Sequence, residues 1–130
     1  MWKEKLPKNC PPTRAEKRTV KMFRVIAEKK LTPSDFNCYA SGDWERYKHS
    51  CDAHAVSFFN TLKNMVATYK RSLKSDNNLG NFIAEVQVSE EHGVSTFKEN
   101  TGHYNVWLFD SSQLEQFQIL SLYDVDGNPV

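Results

Sequence analysis

The stretch HAVSFFNTLKNMVATYKRSLK, residues 54–74, changes its hydrophobic period halfway along. Its first six residues form a compact apolar run in which valine and two phenylalanines favour a strand. From residue 60 onward, Leu62, Met65, Val66 and Tyr69 recur at spacings of 3, 1 and 3. That stripe predicts an amphipathic helix over 60–74, capped by Asn60 or Thr61 and broken by SDNNLG. A strand running directly into a helix is the unit around which the remaining segments are arranged.

Upstream, TVKMFRVIA (19–27) is rich in β-branched and apolar residues with a loose period of two, and it predicts the first strand. Between the two strands, LTPSDFNCYASG predicts a short helix. Thr32 suits its cap, Pro33 its first position and Asp35 its third, and Gly42 suits the closing turn. LPKNCPP carries three prolines within six residues, so the N-terminal segment 1–18 is expected to be an extended lead-in, with TRAEKR as a short helix. Downstream, NFIAEVQV (81–88) alternates, with Phe82, Ala84, Val86 and Val88 on one face and Glu85 and Gln87 on the other. EEHG turns the chain, and VSTF, HYNVWLF and FQILSLYDV supply further strands before the terminal turn VDGNP.

Five or six strands with two or three helices, and strands that follow one another closely, predict one α+β domain. Its sheet would be mixed but mainly antiparallel, with a folded core over 19–126. A doubly wound nucleotide fold is disfavoured because no glycine-rich loop follows the first strand. The 130 residues suit one core, with 39% hydrophobic and 25% charged residues, and no apolar run nears the roughly 20 residues of a membrane span. MWKEKLPKNCPP has no apolar core of a secretory signal, so Cys10, Cys38 and Cys51 are expected to be reduced thiols and the protein cytoplasmic.

The net charge of +1 conceals an asymmetry. Residues 1–30 hold ten Lys/Arg against three Asp/Glu, and residues 81–130 hold one lysine against eight acids. Either the basic segment meets a polyanion or a charged protein partner, or the two ends lie together and neutralise each other. Sequence-specific nucleic-acid binding is not expected, since the aromatic strands lie in the acidic half, away from the Lys/Arg.

Several side chains qualify as chemistry-bearing. Arg24 shares a strand face with Met22 and Ile26, where its guanidinium can fork onto a phosphate or ribose. Alternatively, that face is a solvent edge, or the arginine pairs with a C-terminal acid. Ser57, embedded between Val56 and Phe58, can brace a ligand pocket or satisfy a neighbouring carbonyl. In QLEQF (113–117), Glu115 can stabilise an oxocarbenium-like sugar centre while Gln113 positions an acceptor. The same residues read as a capping box from Ser112 to Glu115. In HSCDAH, the trio His49, Cys51 and His54 offers ligands for a zinc ion, and Cys51 with a histidine offers a thiolate dyad. Cys51 is otherwise a small buried residue. His103, at the mouth of an aromatic strand beside Tyr104, suits stacking on a base or proton transfer, or else belongs to the core edge.

Arg24 on the first strand, Ser57 in SFFNTLKNMVATYK and the Gln113-x-Glu115 before the last strand together resemble the R-S-E layout of ADP-ribosyltransferase-like proteins, over residues 20–125. Ala55-Val56-Ser57 stands where that superfamily has Ser-Thr-Ser. The resemblance implies NAD as ligand, with Arg24 near its phosphates and ribose, Ser57 steadying the pocket and Glu115 orienting the nicotinamide ribose. His103 and Tyr104 would line the nicotinamide side. It also implies a toxin or conflict-system effector. The alternatives are a noncatalytic immunity-type or regulatory interaction module without a shared pocket, and a small zinc protein built on Cys51 and His54.

Overall fold

The computed structural model describes residues 1–41, 45–112 and 117–130. Six strands, β1 (Val20–Ile26), β2 (Val56–Phe59), β3 (Phe82–Val88), β4 (Gly93–Lys98), β5 (His103–Leu108) and β6 (Ile119–Asp124), form one sheet in the order β4-β5-β2-β1-β3-β6. Every pairing among them is antiparallel. Among the described residues one α-helix, α1 (Leu62–Lys74), packs on the sheet, and short 3-10 turns lie in the connection from β1 to β2. The fold is therefore α+β, as the succession of C-terminal strands predicts.

Both faces of the sheet are covered. On one, Met22, Ile26, Val56, Phe58, Ala84, Val86, Tyr104 and Val106 form a core closed by Phe36 and Phe117. On the other, Phe23, Val25, Phe59 and Ile83 meet Met65 and Tyr69 of α1. The residue-by-residue alternation of β1 and β3 is thus only half of their pattern. Ile83, between two residues of the Phe82–Val88 stripe, is completely buried under the helix side. The helix begins where expected: Thr61, not Asn60, is the cap, its hydroxyl accepting the Asn64 N–H at 3.1 Å. Burial of Met65 and Tyr69 contributes roughly 1.5–3 kcal/mol each to holding α1 in place.

The β1–β2 connection is tighter than a predicted helix. Pro33–Phe36 and Tyr39–Ser41 are separate 3-10 turns, and Gly42 lies outside the described residues. The capping chemistry is nevertheless present. The Asp35 carboxylate accepts from the Thr32 N–H at 2.7 Å and from the Ala27 N–H at 3.0 Å, tying the turn to the end of β1.

The N-terminal segment corrects two expectations. TRAEKR is not helical; Glu16 instead exchanges two backbone hydrogen bonds with Ser95 on the β4 edge, at 2.8 and 2.9 Å. Six residues gain too few internal bonds to hold a helix against that pairing. Cys10 and Cys51 form a disulfide across 41 residues, so they are not free thiols, and the ground for expecting a reducing cytosol falls with them. The Trp2 ring lies tilted against Phe109 with centroids 5.1 Å apart, and Arg18 donates to the Ser95 carbonyl at 3.0 Å. The basic segment accordingly lies against strands of the acidic half. Among the described residues no helix is long and apolar enough to cross a membrane.

Candidate functional site

β1 and β2 are neighbours, yet they register through a single pair, Phe23 with Phe59. By contrast, β1 and β3 are in register along all seven residues of β1. Where β1 parts from β2, the guanidinium of Arg24 takes over the backbone bonding that a strand would provide. Its Nη1 donates to the Ser57 carbonyl at 2.7 Å, its Nε to the Asp35 carbonyl at 2.6 Å, and its Nη2 reaches the Asn37 carbonyl at 3.5 Å. Met22 and Ile26 on either side are buried, so this face is no solvent edge, and among the described residues the arginine answers to backbone carbonyls. Burial lowers its pKa to about 10, while Asp35 opposes the shift, so it stays charged at neutral pH. Two of its five N–H groups remain uncommitted by these bonds.

Ser57 and His103 meet across β2 and β5. Ser57 registers with Asn105 and Phe59 with His103, which makes Ser57 and His103 diagonal neighbours on one face. The Ser57 Oγ lies 3.0 Å from His103 Nε2, and the imidazole sits 5.1 Å from the Phe59 ring. Desolvation lowers the His103 pKa below its ordinary value of 6.5, with Lys98 pushing the same way and Asp52 opposing. The shift favours the neutral ring. Gly102, just before it, adopts φ +71°, and a Cβ there would run into the side chains of Asn60 and Asn64. Its lack of a side chain lets the turn enter β5 close to the start of α1.

Arg24, Ser57 and His103 line one cavity of about 390 Å³. Asn37 and Tyr39 border it from the 3-10 turns, and Thr68 and Ser72 from α1, while Val25, Phe59, Met65 and Leu79 supply apolar wall. These bordering polar groups were not singled out from the sequence. The signal for the helix pair was available: Thr68 and Ser72 are four apart and therefore share a face with Met65.

Tyr104 is not at this cavity. It is buried on the opposite face, in the core with Phe58 and with the Phe97 ring 4.5 Å away. Consecutive strand residues point to opposite sides, and here Tyr104, next after His103, enters the core of the other face. Gln113 and Glu115 lie outside the described residues. Ser112, the cap of the alternative reading, donates its hydroxyl to the His92 carbonyl at 2.7 Å.

The zinc and thiolate readings lose their centre to the disulfide. Cys51 is bonded to Cys10, His54 is buried with Nδ1 2.7 Å from the Ser50 carbonyl, and His49 is exposed. Among the described residues, no three His, Cys, Asp or Glu side chains are grouped to hold a metal. Both histidines border a second cavity of about 390 Å³ with Lys5, Lys8 and Lys48. No family model matches the chain, and neither does any curated protein or solved structure.

Proposed function

We propose that the Arg24–Ser57–His103 cavity binds a nucleotide of the NAD type by its nicotinamide-ribose half, in the manner of an ADP-ribosyltransferase-like protein. The observation that carries the reading is the convergence of these three side chains, distant along the chain, on one hollow of about 390 Å³. That volume is within the range of small-ligand sites. Ser57 and His103 would meet the ribose hydroxyls. Arg24, held by carbonyls, would contribute its charge and its two uncommitted N–H groups instead of its whole fork. Glu115 would stabilise positive charge at the ribose carbon as the glycosidic bond breaks.

The test is thermal unfolding with added NAD, for the wild type and for Ser57→Ala, His103→Gln, Arg24→Lys and Glu115→Gln. Ligand at 100 times its dissociation constant is expected to stabilise the wild type by about 2.7 kcal/mol, with a smaller gain in the three cavity variants. Release of nicotinamide is expected to fail in Glu115→Gln while NAD binding persists. A wild-type melting curve that does not move with millimolar NAD overturns the proposal.

A further inference from the structure

We infer that Ser57 is a nucleophile with His103 as its general base, so that the cavity can carry out acyl transfer from a small carboxylic ester with an apolar acyl group. The inference does not depend on NAD.

A serine hydroxyl reacts only when a base within hydrogen-bond reach takes its proton, and 3.0 Å from Ser57 Oγ to His103 Nε2 meets that condition. The neutral tautomer protonated on Nδ1 leaves Nε2 free to accept. Desolvation and Lys98 favour the neutral base before attack, and Asp52 favours the imidazolium that forms during it. The nucleophile's own backbone is held, because Arg24 Nη1 binds the Ser57 carbonyl at 2.7 Å. The same guanidinium lines the cavity and brings positive charge to an oxyanion developing there. Val25, Phe59, Met65 and Leu79 provide the apolar wall against which a short acyl chain can lie.

The chemistry balances without any added group. Ser57 Oγ bonds to the carbonyl carbon as its proton passes to His103 Nε2. The bond to the leaving alcohol then breaks, and the alcohol departs with that proton. Water, deprotonated by His103, attacks the acyl-serine; the acid is released and the proton returns to Ser57 Oγ.

The experiment treats the full chain with an alkyl fluorophosphonate, which forms a serine–phosphorus bond with loss of fluoride, and follows the adduct by intact mass and peptide mapping. The expected result is one adduct per chain, on Ser57, absent from Ser57→Ala. His103→Gln retains a polar partner for the hydroxyl but no base, and its labelling is expected to slow by about 10²-fold or more. Parallel melting curves establish that each variant is folded. A folded wild type that acquires no adduct on Ser57 overturns the inference, as does His103→Gln labelling at the wild-type rate. An adduct in a protein indifferent to NAD upholds this inference and removes the NAD reading; NAD stabilisation with no adduct does the reverse.

Discussion

At the scale of single residues, two side chains link the site to stability. His103 is held below its ordinary pKa of 6.5 chiefly by desolvation, so the folded protein binds its proton less readily than the unfolded chain does. A depressed histidine contributes stability that is present above pH 6.5 and is lost as pH falls through the lower folded value. Urea unfolding from pH 7.5 down to about pH 5 should show a decline that is shallower in His103→Gln. An equal decline in both proteins would mean that other groups set the acid limit. Arg24 ties backbone carbonyls of the Pro33–Phe36 turn and its cap to that of β2. Arg24→Met leaves the carbonyls of Asp35 and Ser57 without their donor, and we expect a loss of about 2–3 kcal/mol in urea unfolding. Arg24→Lys should recover only part of this, because an ammonium cannot reproduce the planar fork.

At the scale of elements, the legible parts were those whose chemistry is local. The Leu62–Tyr69 stripe and the Thr61 cap produce α1, and Thr32, Pro33 and Asp35 produce a capped turn even though it is 3-10 and not α-helical. TRAEKR failed because its partner, Ser95, is far away in the chain. The Gly102 turn joins two such elements, opening β5 against the Asn60 and Asn64 side chains. Gly102→Ala combines a positive φ with that collision, so we expect a loss of at least about 1–2 kcal/mol in urea unfolding. Because the turn carries His103, the same variant should also lose fluorophosphonate labelling of Ser57. Wild-type stability together with wild-type labelling would show that the turn can relax without moving β5.

At the scale of the whole molecule, the Cys10–Cys51 disulfide holds the N-terminal segment to the 3-10 connection before β2. Its loop spans a sequence separation of 41 residues, and loop-closure entropy puts its contribution at about 4 kcal/mol. Reduction with dithiothreitol, or the double change Cys10→Ser and Cys51→Ser, should lower the melting temperature substantially, and dithiothreitol should not affect the double variant further. An unchanged melting temperature after complete reduction would show that packing of Trp2 and Arg18 is enough to keep the segment in place.

The α+β class, the strands and the helix were determined by the sequence itself, since hydrophobic period, caps and turn residues act over a few positions. Arg24, Ser57 and His103 were recognisable as candidates for a related reason: each is a polar group set among apolar strand neighbours. Which of them share a cavity was decided only by tertiary structure. Strand order brings β2 beside β5, and the single registered pair between β1 and β2 leaves room for the guanidinium. The exclusion of Tyr104 and the pairing of Cys10 with Cys51 are likewise products of the folded chain. Both depend on which surfaces meet in space, and contacts between residues distant in sequence leave no periodic trace.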